Sequence, residues 1–335
     1  MGIVWPAGAQ LNPRIILQMA WYWYRRGYLN EGRTWTERVL NSPLAAERTV
    51  WRGWALQSNA MLATWQGDLN TGFTRANAGL EVAQQLEDPA MVAMALLSVG
   101  VVNVNRGEDA AAFPPLKEAA AMFKEEGNAF FYPLTLVHLG NVSLGLGNPA
   151  EARVWLEQAN DASRDLGEGW IRSFVLNNLG EVARVQGDYA AARRYYERSE
   201  ALLRSMGDKG DLARLIHSLG YVALREGNLV KAESQFKESL AMFRTLGNRR
   251  GIAECLVAFA GLRVVQDQAP LAAQLLGAAE AAMKATGAGW WPADRSEIEQ
   301  TRAAIESRLD ETAFDAECAK GRDMPLERVI ASVAD

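Results

Sequence analysis

Cysteine and histidine are nearly absent, with two of each in 335 residues. Cys255 and Cys318 stand far apart and form no CxxC pair, which excludes a disulfide framework and fits a reducing compartment. His138 and His217 fall two repeats apart, so no metal-ligand spacing is built from them. No G-x-S-x-G elbow occurs, and no cysteine shares a repeat with a histidine, so nucleophilic catalysis lacks its parts. A G-x-x-x-x-G-K-[ST] phosphate loop is also missing, which removes ATP hydrolysis from these residues. Basic charge is not in excess. The net charge of -5 gives no global attraction to nucleic acid or anionic lipid. No run of about 18 apolar residues is read, so no membrane span is expected. The opening MGIVWPAGAQLNPR has no basic segment followed by an apolar one, so no signal peptide is expected. The expectation is a cytoplasmic chain that is not an enzyme and has no cofactor, no metal, no direct nucleic acid and no membrane as partner.

What is present is a register. Gly27, Gly67, Gly107, Gly147, Gly187 and Gly227 recur every forty residues, and Asp267 holds the next slot. Seven residues earlier stand Ala20, Ala60, Gly100, Gly140, Gly180, Gly220 and Ala260; five residues later stand Gly32, Gly72, Ala112, Ala152, Ala192, Ala232 and Ala272. Such a period marks stacked supersecondary units. In the unit from Ser173 to Leu212, Phe174, Leu176, Leu179, Val182 and Val185 mark a first helix. After the Gly187-Asp188 turn, Tyr189 to Met206 reads as a second helix with apolar residues at three- and four-residue spacing. Gly207 closes it as a helix-ending glycine, a slot shared by Gly127, Gly167, Gly247 and Gly287. Gly180 and Ala192 clear the helix crossing, and Tyr196 with its counterparts Leu116, Leu156, Phe236 and Leu276 is assigned to the gap before the next unit. The fold expected is an all-α right-handed superhelix: about seven 40-residue helical hairpins over residues 1–290, then a C-terminal helical cap over 291–335.

The slots Leu179-Gly180, Gly187-Asp188-Tyr189, Ala192, Tyr196, repeated as Leu219-Gly220, Gly227-Asn228-Leu229, Ala232, Phe236, resemble the tetratricopeptide (TPR) pattern over residues 10 to 290. The units are longer than the roughly 34-residue form of that repeat. The ends carry a second resemblance. Trp23, Tyr24, Arg26-Gly27, Glu31-Gly32-Arg33 and Trp35 resemble the opening of the repeat region in bacterial STAND-type signalling ATPases. Ala272, Leu275-Leu276-Gly277-Ala278-Ala279-Glu280, Pro292-Ala293-Asp294-Arg295, Gly321-Arg322 and Leu326-Glu327 resemble its close. The resemblance implies a sensor arm attached to an upstream nucleotide-binding module that contacts the aromatic N-terminal unit, with effectors such as a LuxR-type transcriptional regulator among relatives. The tail from Ala293 holds eleven acidic and six basic residues and reads as the polar cap, with helices over Ala293–Leu309, Glu311–Lys320 and Leu326–Val333.

In the fold implied, first helices line a concave groove. Its inward slots hold Trp21, Tyr24, Trp54, Gln57 and Met61 early. The middle units place Met94, Leu97, Leu134, Val137, Asn141 and Leu144 there, and later come Phe174, Asn177, Glu181, Arg184, Arg214, His217 and Tyr221. Asn141, Asn178 and Arg214 occupy three of five slots of the two-carboxylate clamp of peptide-binding relatives, while Val137 and Ser218 stand where cations are needed. Arg184, Arg214 and His217 suit an acidic or hydroxyl-rich ligand. Arg193-Arg194, Arg198, Arg204 and Arg249-Arg250 read as exposed helix faces diluted by Glu197, Glu200 and Asp208. The function expected is a non-enzymatic recognition arm of a STAND-type regulator that binds a peptide, protein or small metabolite in the groove. The alternative is a stand-alone adaptor or scaffold for peptide segments.

Overall fold

The computed structural model describes residues 13–166 and 169–334. The segment read for a signal peptide falls largely outside these, as does the helix-ending slot of Gly167. Among the described residues there are helices and no strands. Fourteen helices follow one another as seven hairpins: α1 Ile15–Arg26, α2 Leu29–Leu40, α3 Val50–Trp65, α4 Leu69–Gln85, α5 Pro89–Arg106, α6 Asp109–Glu125, α7 Phe131–Gly145, α8 Pro149–Ala162, α9 Trp170–Val185, α10 Tyr189–Met206, α11 Lys209–Arg225, α12 Leu229–Leu246, α13 Arg249–Val265 and α14 Ala269–Thr286. Then come a 3₁₀ turn, Pro292–Asp294, and α15 Arg295–Glu306, α16 Glu311–Asp323 and α17 Leu326–Ala334. This is the all-α, tetratricopeptide-type solenoid of hairpins that the glycine register implies.

The turns explain the register. Gly187 and Gly227 sit at φ 79° and 78°, a left-handed conformation open to glycine at little cost. Asp267, which replaces glycine in the next slot, takes φ 58°. The polar residue after the glycine caps the second helix. Asp188 accepts from the Ala191 N–H at 2.9 Å, and Asn228 from Lys231 at 3.1 Å. The small residue seven before the turn has a different task. A Cβ on Gly180 would lie 2.5 Å from the Tyr196 ring, so this ring fills the hairpin's own crossing. Phe236 lies over Gly220 in the same way and also meets Phe259 of the next hairpin, ring centroids 5.9 Å apart. The aromatic thus serves both its own hairpin and the junction beyond it, whereas spacing alone assigned it to the junction.

Contacts divide the chain into two compact units, Met1–Val102 and Asn103–Asp335. In unit 1 the aromatic opening is packing. Gly32 lies under the buried Trp23 ring, and Trp21 and Tyr24 meet Trp65 with centroids 5.2 and 4.2 Å apart. Unit 2 contains the tail. Its expected first helix is shortened at the front, because Pro292–Asp294 forms a 3₁₀ turn and α15 starts only at Arg295. Helix α16 lies backbone to backbone on α14, with Gly277 against the Cys318 carbonyl and Gly321 against that of Gln274. Both glycines belong to the closing signature, so that signature encodes this contact. Phe314, Cys318, Val329, Ile330 and Val333 join an apolar cluster with α13 and α14. One expectation is corrected here. Helix α5 has a mean hydropathy of 1.3 over 18 residues, long and apolar enough to cross a membrane, but 67% of it is buried, as in a core helix.

These assignments separate two kinds of glycine. Gly187→Ala should cost about 1–2 kcal/mol through its left-handed backbone. Gly180→Ala should cost about 1–3 kcal/mol through displacement of Tyr196, and Tyr196→Leu should recover part of that loss but none of the Gly187→Ala loss. Urea unfolding of the single and double variants measures this.

Candidate recognition groove

First helices follow first helices in unit 2: α7 touches α9, α9 touches α11, and α11 touches α13. Their polar residues converge on a segment of the chain itself. After Gly287 the backbone turns and Gly289 donates to the Asn105 carbonyl at 2.9 Å. Gly289 lies so close to Gly107 that an added Cβ would stand 2.6 Å from the Gly107 Cα. The Trp291 indole Nε1 donates to Glu181 at 2.8 Å, its backbone N–H donates to Glu254 at 3.2 Å, and its ring faces the Arg214 and Arg250 guanidinium groups at 4.2 and 5.2 Å. Arg184 donates to Asp294 at 2.5 Å, to the Ala293 carbonyl at 3.1 Å and to Glu297 at 3.3 Å. Arg225 grips the other oxygen of Glu297. Arg295 reaches back to Asp109 and to the Gly145 carbonyl.

Nearly all of this is dry. Arg184 and Asp294 are each 2% exposed, and Glu297 is 5% exposed. Burial alone would lower the Arg184 pKa, but the carboxylates of Asp294 and Glu297 more than reverse it and hold the guanidinium well above its ordinary value. Burial pushes Glu181 up to about 7 against the opposing pull of Arg214 and the Trp291 hydrogen bond. Burial also pushes Glu254 upward, yet Arg214 and Arg250 flank it and hold it below its ordinary value. Burial lowers His217, against the opposing pull of Asp294, which lies 3.6 Å from its Nε2.

The residues expected on the groove divide into three groups. Glu181, Arg184, Arg214, His217 and Tyr221 are brought together around the resident segment, with Tyr221 under Arg184 at 5.0 Å. Asn177 donates to Glu181 at 3.4 Å, Asn178 donates to the Phe174 carbonyl of its own helix at 2.8 Å, and Asn141 is fully buried with both amide atoms unpartnered. In unit 1, Trp54 and Gln57 are core residues, Gln57 lying against Gly79 of α4, while Trp21 and Tyr24 stay in the aromatic cluster. Arg250, read as an exposed face, is instead a half-buried partner of Glu254 at 3.0 Å. Cys255 and His217, placed in separate repeats by the sequence, approach to 3.6 Å, but burial pushes the thiol up to about 12, the reverse of an activated nucleophile.

Sequence reasoning missed Glu254, Arg225, Asp109 and the grip on Trp291, Asp294 and Glu297. Glu254 was within reach, because it holds in the seventh unit the slot that Arg214 holds in the sixth. Among the described residues no group of three or more His, Cys, Asp or Glu is placed to hold a metal ion.

Residues 132–205 match the tetratricopeptide repeat family model. No curated protein matches the sequence significantly. Among solved structures, the chain is similar to a Rap protein complexed with competence and sporulation factor, at 13% identity and a TM-score of 0.67, covering 97% of this chain and 90% of that one. It is similar to the Rap conjugation gene regulator of plasmid pLS20 in complex with the Phr* peptide, at 12% identity and a TM-score of 0.64, covering 85% and 76%. It is also similar to aspartyl phosphate phosphatase F from Bacillus subtilis, at 10% identity and a TM-score of 0.58, covering 97% of each. At such identities the likeness is one of fold.

Two outcomes follow from the buried charges. Arg184→Ala strands Asp294 and Glu297 without their cation and should cost about 3–5 kcal/mol in urea unfolding; a loss below about 1 kcal/mol would mean the segment is not docked. Glu181 binds its proton more tightly folded than unfolded, between its ordinary 4.5 and about 7. Its contribution to stability therefore falls as pH rises through that window and stays low above it. Gln at this position keeps an acceptor for Trp291 and does not titrate. Glu181→Gln should gain stability over the parent as pH goes from about 5 to 8, by on the order of 3 kcal/mol at most. Parallel pH profiles would contradict the assignment.

Proposed function

We propose that unit 2 is a non-enzymatic recognition module that takes a peptide or protein segment against the inner faces of α7, α9, α11 and α13. The observation that carries this reading is the resident segment. Those faces, together with Asn105 of α5 and Asp109 of α6, already hold a stretch of polypeptide through its backbone, an indole and three charged side chains. The printed descriptions of the two Rap structures, one with competence and sporulation factor and one with the Phr* peptide, agree with peptide uptake by this fold. Burial pushes the Cys255 thiol up, away from an activated nucleophile, in keeping with a binding role.

The terminal signatures extend the proposal. The module is the sensor arm of a bacterial STAND-type regulator in the cytoplasm, joined to a nucleotide-binding switch and, in a LuxR-type relative, to a DNA-binding effector. A ligand would act on such a switch only by its difference in affinity for the two switch states. The stand-alone adaptor differs in one respect, the absence of a phosphate-loop module encoded upstream in the same reading frame.

Hydrogen exchange during titration with a panel of synthetic acidic and neutral peptides tests the groove. Binding should alter protection in α9, α11 and α13; changes confined to unit 1, or no binding across the panel, would refute it. Incubation with ATP should release no phosphate beyond the buffer rate, and sustained turnover would refute the non-enzymatic assignment.

A further inference from the structure

The resident segment shows what the groove selects. Reading along it, Trp291 lays its ring against two guanidinium groups, with a carboxylate at its indole N–H. The third residue on, Asp294, meets Arg184, and the sixth, Glu297, meets Arg184 and Arg225. Between them Arg295 meets Asp109. Each position is read by a complementary group, and the readers come from α6, α9, α11 and α13 of unit 2.

The way the segment is held differs from the way its flanks are held. Helices α16 and α17 are fixed by an apolar cluster and by glycine-to-backbone contact. Within the segment Trp290 packs on that cluster too, while Asp294, Arg295 and Glu297 are fixed by charges that have given up water, where desolvation offsets much of the attraction. Its surroundings are incompletely satisfied: Arg184 Nε, Arg250 Nη2 and Asn177 Oδ1 are buried with no hydrogen-bond partner. A permanent core element is normally satisfied. These unmet donors and acceptors leave the walls of the site with hydrogen-bonding capacity that the resident segment does not use.

We infer that this groove is a binding site for an acidic, tryptophan-bearing peptide with carboxylates three and six residues after the indole, and that residues 290–297 occupy it as a built-in competitor which such a peptide displaces. The inference rests on the reading of the groove as a peptide site. Tethering gives the resident segment an effective concentration of order millimolar. A peptide added to the intact chain therefore shows its affinity reduced by the small fraction of open grooves.

The experiment uses the full chain and a labelled synthetic peptide with the sequence of residues 288–300, followed by fluorescence anisotropy. Two variants loosen the segment: Asp294→Asn and, acting through a different anchor, Arg295→Ala. Circular dichroism establishes that each is folded, and Arg295→Ala serves alone if Asp294→Asn does not fold. The peptide should bind the folded variants at least about tenfold more tightly than the parent chain. The same peptide carrying Asp294→Asn and Glu297→Gln, or a scrambled order, should lose that gain. If the folded variants bind the peptide no better than its scrambled form, the inference is wrong. If they bind other members of the peptide panel in the groove but not this one, only the inference falls. If they bind none, the groove reading falls with it.

Discussion

Two helices share a core only where one of them has nothing to place in the gap. In this chain glycine meets that condition at Gly140, Gly180 and Gly220, and alanine holds the same slot at Ala20, Ala60 and Ala260. Gly180 admits the Tyr196 ring and Gly220 admits Phe236, so an aromatic side chain fills a space that any Cβ would contest. Hairpin packing, and therefore the alignment of first helix beside first helix, depends on it. Without that alignment the side chains of α9, α11 and α13 would not face a common line.

The line they face is unusual for a repeat protein's interior. A stack can bury apolar residues throughout, as α14 does. Along the inner side of unit 2 it buries arginine and glutamate instead, and balances them with the aspartate and glutamate of a returning segment. Charged groups there are worth little as glue, because the water they lose offsets what they gain. What they fix is the register of that segment: a carboxylate that misses Arg184 by one residue leaves two charges unpaired in a dry place.

The forty-residue period was legible because it rests on backbone constraints that only certain residues satisfy. A left-handed turn asks for glycine, a helix start asks for aspartate or asparagine, and both recur at fixed offsets. The groove was half legible. Glu181, Arg184, Arg214 and His217 could be placed on the inner side by counting turns, and their charge called for an acidic partner. That the partner lies in the chain's own tail was not visible, because nothing local to Trp291 or Asp294 reveals a contact with residues more than a hundred positions earlier. The tail's charge excess reads equally as a solvated cap. Trp54 and Gln57 show the opposite error, since counting turns places a residue on a face but does not say whether the neighbouring helix covers that face.

The glycine contact between α14 and α16 has one more consequence. It pins the chain on the far side of the resident segment, while α14 pins it on the near side. A stretch held at both ends cannot drift away when it leaves its seat. On the inference above it can only bow outward, and its return closes a loop whose two anchors are already in place. If a peptide displaces the segment as inferred above, the seat refills as soon as the peptide departs, without help from any other factor.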